Sequence, residues 1–340
     1  MDPSAHTILA ADVGGTNTKL AIGRCDGARV TLLHRRIYPS RRYASLENVV
    51  DAFLSEPELG ASAHALAGAC FAVAGPVEGR KARLTNLSWT ISEAALAAHL
   101  GLKAVCVIND FAAAGLGIAE LAESDFTTLQ TGVPVECAPR VVMGAGTGLG
   151  VALLLCVDRT YRVYPSEAGH GDFAPTDEMQ NALGHYLQER FGHVSSERVL
   201  SGNGFPSILD FLRDTQGVVP TPELLNAMAS GDAAQAITHF ALSQDDPAAL
   251  RVLDVFASAY GAFAGNMALT VLAHGGVYIA GGIAPKIVEK LRDGAFLRAF
   301  NAKGRFQALL ETIPVKVVMN DQVGLYGALA EAARAANAVA

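Results

Sequence analysis

The sequence predicts an α/β fold with two lobes, and three observations support this class. The chain has 340 residues, more than a single small core needs. Two stretches, Ile8–Ile22 and 141–155, each read as two apolar strands joined by a glycine-centred turn. Both are followed by a third strand and then by alternating helices and strands, so the second half of the chain repeats the element order of the first.

The repeat sets the expected domain organisation. We expect a smaller N-terminal α/β lobe over residues 1–135 and a larger C-terminal α/β lobe over residues 136–340. Mostly helical sequence from about 177 to 256 predicts an insertion in the larger lobe, followed by an apolar helix near 257–273. We expect the last helix, from about Val323, to pack back on the N-terminal lobe.

The first half contains recognisable start and stop signals. A third strand is predicted near 30–38, and Ser45 is a suitable cap for an amphipathic helix. An apolar run over 66–74 and a shorter one over 105–108 read as buried strands. Helices are predicted over 91–100 and 111–121.

Composition and charge exclude several classes of protein. The net charge of −7 and the absence of a basic run argue against a nucleic-acid surface, although not against a nucleotide. The five cysteines are widely spaced and form no CxxC pair, so we expect neither a zinc site nor a disulfide scaffold.

A membrane span is considered for 255–285, which contains no Asp, Glu, Lys or Arg. Gly275–Gly276 interrupts this run and a separate strand follows, which favours a buried helix and no membrane. The N-terminus has no basic region typical of a secretory signal, so we expect a cytoplasmic protein.

The turn after the first strand is rich in hydrogen-bond donors. Gly14 and Gly15 allow close approach of the backbone, and Thr16, Asn17 and Thr18 add polar side chains. Such a turn suits an anion such as phosphate. Asp12, at the strand end, could hold a hydrated Mg²⁺ ion. An ordinary hairpin explains this stretch alone equally well.

The second turn, Gly144–Gly150, misses the GxGxxG dinucleotide pattern by one residue and runs into a strand instead of a helix. No GxxxxGK[ST] motif occurs, which excludes a P-loop. Two glycine turns of this kind could bind a triphosphate from opposite sides.

Two further segments carry candidate chemistry. Asn109–Asp110 ends a buried strand, where a carboxylate can accept a proton from a hydroxyl or simply cap the next helix. The loop 165–175 contains Glu167 and His170, which could reach a polyhydroxylated ligand or, less convincingly, a metal. Glu197 lies in the first turn of a helix, where an acid is also favoured by the helix dipole.

Together, seven motifs in register resemble the bacterial ATP-dependent glucokinases of the hexokinase/actin-like superfamily. The resemblance covers about residues 7–335 and rests on the motifs that begin at Asp12, Leu84, Asn109, Gly144, Glu167, Ser196 and Ala280. Ala11 stands where glycine is common, and Thr18 where a small apolar residue is usual. The cysteine-rich zinc motif of the related repressors is absent, which favours the glucokinase branch.

The resemblance implies two actin-like (ribonuclease H-like) lobes with mixed sheets and an active-site cleft between them. It implies phosphorylation of D-glucose by ATP with Mg²⁺, an early step of glycolysis, and often a homodimer. Asp110 would be the general base. The implied sugar-binding residues are Asn86, Asn109, Asp110, Glu167, His170 and Glu197. The implied nucleotide-binding residues are Ala11, Asp12, Val13, Gly14, Gly15, Thr16, Asn17, Gly146, Thr147, Gly281 and Gly282, with Asp12 also holding Mg²⁺ through water.

Two rival functions stay open at this point. One is a kinase of another hexose, such as mannose, fructose or N-acetylglucosamine. The other is a sugar-sensing protein without catalytic activity, which in relatives carries a DNA-binding head. The first strand begins within about ten residues of Met1, leaving no room for such a head in this sequence.

Overall fold

The computed structural model describes residues 5–26, 29–84 and 87–339. The chain forms two compact units, Met1–Glu123 with Asn320–Ala340, and Ser124–Met319. The division therefore falls at 123/124 and not at 135/136, and the last helix is part of the first unit.

The first unit is built on a five-stranded mixed sheet with the order β3-β2-β1-β4-β8. β1, β2 and β3 are antiparallel neighbours, whereas β4 and β8 run parallel to β1. A small three-stranded sheet lies beside it. The strands are β1 (Ala5–Val13), β2 (Asn17–Asp26), β3 (Arg29–Pro39), β4 (Leu66–Val73), β5 (Val77–Glu78), β6 (Lys81–Arg83), β7 (Thr90–Ser92) and β8 (Val105–Asn109).

Register brings the carboxyl ends of the three parallel strands to one edge of this sheet. Val13 pairs with Val73, and Val73 pairs with Asn109. The glycine turn after β1 and the Asn109–Asp110 pair after β8 therefore follow strands that end at the same level. This edge is where ligands bind in open α/β sheets.

Helices α1 (Leu46–Leu54), α2 (Glu93–Leu100) and α3 (Asp110–Gly117) complete the N-terminal part of the first unit. The last helix, which is α13 in chain order (Val323–Asn337), packs on the sheet through Leu325, Leu329 and Ala332, all buried. It crosses α3 at glycines: a Cβ on Gly117 would lie 1.9 Å from Val323 O. This close packing explains why the C-terminal helix belongs to the first unit.

The second unit repeats the same strand order and adds one strand, giving β12-β11-β10-β13-β14-β9. The added strand β9 pairs antiparallel with β14, which is why residues 124–135 belong to this unit. These strands are β9 (Phe126–Gln130), β10 (Arg140–Ala145), β11 (Leu149–Val157), β12 (Thr160–Ser166), β13 (Val277–Ala280) and β14 (Val315–Val318). The mixed α/β class predicted from the sequence is confirmed.

Nine α-helices of the second unit lie within the described residues. They are α4 (Glu178–Phe191), α5 (Ser196–Val199), α6 (Gly204–Gln216), α7 (Pro222–Ser230), α8 (Ala233–Ser243), α9 (Pro247–Val271), α10 (Val288–Arg292), α11 (Ala295–Asn301) and α12 (Gln307–Leu310). The predicted limit of the insertion near 256 is wrong, because it falls inside α9. Asp246 caps that helix by accepting from the Ala249 N–H, and Pro247 occupies its first turn.

The apolar run considered as a membrane span is the core helix of the second unit. Among the described residues, α9 alone is long and apolar enough to cross a bilayer, and 72% of its most apolar window is buried in the protein. Val252, Phe256 and Tyr260 are fully buried there. Packing inside the unit accounts for this composition.

The cysteines differ from expectation in one respect. Cys137 and Cys156 form a disulfide bond, which the wide sequence spacing did not suggest. Cys156 lies in β11, and Cys137 precedes β10, the antiparallel neighbour of β11. The hairpin therefore brings two cysteines that are 19 residues apart in sequence to a Cα–Cα distance of 5.2 Å. Cys25 and Cys70 are buried within an apolar cluster of the first unit and are not part of a disulfide bond.

Candidate active site

The turn between β1 and β2 is held in shape by its own backbone and by Ser40. Gly14 N–H donates to Asn17 O at 3.0 Å, the Ser40 hydroxyl donates to Gly14 O at 2.8 Å, and Ser40 N–H donates to Thr16 O at 2.9 Å. Thr16 and Asn17 are exposed at its tip. The turn thus presents polar groups on a fixed backbone.

Three neighbours of this turn are not exposed at its tip. The Thr18 hydroxyl is buried against the Ser40 hydroxyl at 2.9 Å, so the expectation that Thr18 adds a polar group to the tip is wrong. Successive strand residues point to opposite faces, and Thr18 points inward. Ala11 and Val13 are fully buried in β1, so they could act on a nucleotide only through the turn they precede.

Asp12 lies at the end of β1 with its side chain 30% exposed. Its carboxylate lies 3.4 Å from Lys19 Nζ, and the same Nζ donates to Asp321 O at 3.1 Å. No three His, Cys, Asp or Glu side chains cluster to hold a metal ion within the described ranges. Carboxylate oxygen atoms are the type of ligand that Mg²⁺ prefers.

Asn109 and Asp110 form a compact polar group at the start of α3. The Asn109 Oδ1 accepts from the Phe111 and Ala112 N–H groups, so Asn109 is the helix cap. Its Nδ2 donates to Asp110 Oδ1 at 3.0 Å and to Gly75 O at 3.1 Å. The alternative in which Asp110 caps the helix is therefore incorrect, because Asn109 fills that position.

Glu167, His170 and Glu197 lie near one another in the second unit. His170 lies between the two acids, with Nε2 at 3.7 Å from Glu167 Oε2 and Nδ1 at 3.9 Å from Glu197 Oε1. The side chains of Glu167 and His170 are more than half exposed, and that of Glu197 is 31% exposed. Two acceptors and one imidazole on an open surface suit the hydroxyl groups of a sugar.

The second glycine turn, Gly146–Gly148, joins β10 to β11 and contacts this polar group directly. Gly146 O accepts from Gly202 N–H at 2.8 Å, and Leu149 N–H donates to Glu197 Oε2 at 2.9 Å. Gly281 follows β13 at the same sheet edge with φ +82°, and a Cβ there would lie 2.6 Å from Ala145 O. Glycine is thus required where the two strand ends meet.

A cavity of about 670 Å³ opens beside these glycines. Gly146, Thr147 and Gly282, three of the residues expected to bind the nucleotide, are among those that line it. Sequence reasoning missed the residues that complete its wall, among them Asn203, Asp232, Gln235, His239, Ser243 and Lys286. Asp232 caps α8, so its sequence signal indicates a helix start and not a ligand. The predicted sugar ligand Asn86 lies outside the described residues.

Comparison with known proteins gives a consistent result. The sequence model of the Glucokinase family matches residues 9–335. A glucokinase of Nostoc punctiforme is 40% identical to the chain over 341 residues, which cover 96% of this chain and 99% of the relative.

The solved structures that are similar to this chain include glucokinases. A glucokinase crystal structure from an Antarctic psychrotroph has a TM-score of 0.82 at 30% identity and covers 96% of this chain and 99% of that one. A glucokinase of the ROK family from Streptomyces griseus, in complex with glucose and AMPPNP, has a TM-score of 0.64 at 21% identity, with 96% and 99% covered. These likenesses confirm the actin-like fold class predicted from the motifs.

Proposed function

The chain belongs to the glucokinase family and phosphorylates glucose at the expense of ATP, and we propose that Asp110 is the general base of this reaction. Its carboxylate would take the proton of the sugar 6-hydroxyl. The hydroxyl oxygen would then bond to the γ-phosphorus as the bond to the β–γ bridging oxygen breaks. ADP and glucose 6-phosphate would be the products.

The contact that carries the assignment of Asp110 is the 3.0 Å hydrogen bond from Asn109. It holds one carboxylate oxygen at the carboxyl edge of the sheet, beside the helix cap. Phosphoryl transfer depends mainly on positioning and on charge stabilisation, so a fixed carboxylate is the form of base that the reaction needs.

Glu167, His170 and Glu197 are proposed to bind the ring hydroxyls of glucose, with Asn86 and Asn109 as further ligands. At separations of 3.7 Å and 3.9 Å, the His170 nitrogens are beyond hydrogen-bond distance of the two carboxylates, so sugar hydroxyls can bind these side chains without breaking a hydrogen bond between them. A hydroxyl left unpaired in such a site costs about 1–3 kcal/mol, which favours the sugar that matches every partner.

The nucleotide is proposed to use both glycine turns. The turn 14–17 and Gly146–Thr147 would face the phosphates, and Gly281–Gly282 with the cavity of about 670 Å³ would receive the adenosine. A volume of this size suits a nucleoside. The complex of the Streptomyces griseus protein with AMPPNP supports the use of ATP.

Mg²⁺ is proposed to arrive with the nucleotide. The ion, when bound, neutralises negative charge on the phosphates. Asp12 would hold it through water, and Lys19, at 3.4 Å, fixes the direction of that carboxylate. We further propose a cytoplasmic homodimer, in line with the family resemblance.

A coupled assay of ADP production tests the function over a panel of hexoses. Glucose should give the highest kcat/KM, ahead of mannose, fructose and N-acetylglucosamine. A higher value for one of the other sugars would replace glucose as the substrate while leaving the kinase assignment in place. Binding of glucose without turnover would instead favour the sugar-sensing alternative.

A further inference from the structure

Glu197 contacts both proposed ligand sites, and we infer that it is a positioning residue that couples sugar binding to nucleotide binding. Its Oε1 faces His170 Nδ1 at 3.9 Å, on the sugar side. Its Oε2 accepts from Leu149 N–H at 2.9 Å, directly after the turn proposed to hold the phosphates. The inference rests on the proposed function, which assigns a ligand to each side.

The turn Gly146–Gly148 is held from two sides by the segment 197–202. The Glu197 carboxylate holds Leu149 N–H, and Gly202 N–H holds Gly146 O at 2.8 Å. Inside the turn, Gly146 N–H donates to Gly148 O at 2.8 Å. The Glu197 side chain is 31% exposed, so a ligand on the sugar side can reach its carboxylate.

Glu197 and the turn Gly146–Gly148 are closely packed. A Cβ on Gly148 would lie 2.6 Å from Glu197 Oε2, so a methyl group there would collide with the carboxylate. Leu149, which follows this turn, is closely packed as well: a Cβ on Gly169 would lie 2.0 Å from Leu149 O. The loop that contains Glu167 and His170 thus packs against the backbone of Leu149 as well.

A physical mechanism of coupling follows from these contacts. A sugar hydroxyl that donates to Oε1 restricts the rotamers of Glu197 and so fixes Oε2 on Leu149 N–H. The turn then reaches its phosphate-binding shape at a lower entropic cost, and nucleotide binding improves. Linkage requires that the nucleotide improve sugar binding by the same factor.

Titration calorimetry with ADP and Mg²⁺, in the absence of glucose, separates this role from simple sugar binding. Glu197→Ala should raise the Kd for ADP by about tenfold, since it removes a hydrogen bond to a charged group. Glu197→Gln keeps an oxygen acceptor and should restore most of the affinity. Glu167→Gln is the matched control: it removes a charge from the sugar side, makes no bond to the turn in this structure, and should leave the Kd unchanged.

The coupling itself is measured with and without saturating glucose. For the unaltered protein, glucose should lower the Kd for ADP, and Gly148→Ala, which displaces the carboxylate, should abolish most of this gain. Gly148→Ala also keeps the test usable if Glu197→Ala does not fold. The inference would be overturned if glucose did not change the Kd for ADP of the unaltered protein, if Glu197→Ala left that Kd unchanged, or if Gly148→Ala kept the full gain from glucose. Failure of the unaltered protein to phosphorylate glucose would instead overturn the function on which it rests.

Discussion

Asn109 Nδ2 donates a hydrogen bond to Asp110 Oδ1 at 3.0 Å, so a helix cap also holds the proposed base. The same amide group donates to Gly75 O at 3.1 Å, and its oxygen receives the Phe111 and Ala112 N–H groups. One side chain thus joins the ends of two parallel strands to the first turn of α3. We therefore expect both the stability of the first unit and its catalytic activity to depend on Asn109.

Asn109→Ala is predicted to reduce both properties. Loss of the cap should lower the free energy of unfolding by about 1 kcal/mol. Without its neighbour, the Asp110 carboxylate can leave the reactive position, and kcat should fall by about tenfold or more. Urea unfolding and the coupled assay measure the two effects.

Ser92→Ala is the control for the cap. Ser92 precedes α2, but its side chain makes no capping hydrogen bond. Ser92→Ala should therefore leave the unfolding midpoint and kcat close to those of the unaltered protein. Equal behaviour of the two variants would show that the Asn109 cap does not contribute as proposed.

The sequence predicted the residues of the candidate site better than the contacts that these residues make. The glycine turns, Asn109–Asp110 and the Glu167–His170 loop were found because Gly and clustered polar residues after apolar runs mark strand ends. The alternative that Asp110 caps α3 is wrong by one residue, because Asn and Asp are both good caps and stand side by side. The inward direction of Thr18 depends on where the strand begins, which a turn pattern leaves open by one residue.

Long-range packing explains the fold features that were missed. Nothing local to Phe126–Gln130 shows that it pairs with Val315–Val318, which lies far along the chain. The residues that line the cavity were missed for the same reason. Asp232 and Lys286 come from separate segments of the chain, and the local signal at Asp232 indicates only a helix start. Pairing and cavities are tertiary properties, so spacing within one segment does not predict them.

Gly117→Ala is predicted to destabilise the first unit strongly. The new methyl group would meet the backbone oxygen of Val323 at 1.9 Å, where no side-chain rotation can relieve the contact. Overpacking of this kind costs about 1–3 kcal/mol or more. Because α3 begins at Asp110, kcat should fall as well. Thermal unfolding and the coupled assay test both expectations.

Gly184→Ala provides the contrast inside α4. A Cβ there meets only Pro175 and Phe173 at ordinary distances of 3.6 and 3.8 Å. Alanine is the better helix former, so this variant should gain up to about 1 kcal/mol. A similar loss in both variants would mean that the α3–α13 contact is not the cause.

Glu56 is predicted to stabilise the first unit only above acidic pH. Although burial opposes ionisation, hydrogen bonds from Tyr38 and His34 and the charge of Arg36 lower the pKa of Glu56 below its ordinary value of 4.5. A lowered pKa in the folded state means that the stabilisation is complete above the unfolded-state pKa and is lost as pH falls through the folded-state pKa. The stability difference between the unaltered protein and Glu56→Gln should therefore be large at pH 7 and shrink below about pH 4.5.

The neighbouring acid provides the control for this pH effect. Glu58 is 57% exposed and lies 3.6 Å from Arg36 Nη2. An exposed pair of this kind contributes about 0–1 kcal/mol, so Glu58→Gln should change stability little at either pH. A pH-independent effect of Glu56→Gln in urea unfolding would contradict the assignment.

Asp110→Asn is the decisive test of the base. The amide keeps the size of the carboxylate, and its oxygen can still accept from Asn109 and from the Phe111 N–H, which Oδ1 receives at 2.9 Å. It cannot accept a proton from the sugar hydroxyl. Since general-base catalysis contributes about 10²–10⁴-fold, kcat should fall by that factor. Glucose binding by calorimetry should persist, because Glu167, His170 and Glu197 are intact. A folded Asp110→Asn variant with near-normal turnover would move the role of base to another carboxylate, with Glu167 the next to test, whereas lower stability with little loss of kcat would make Asp110 structural.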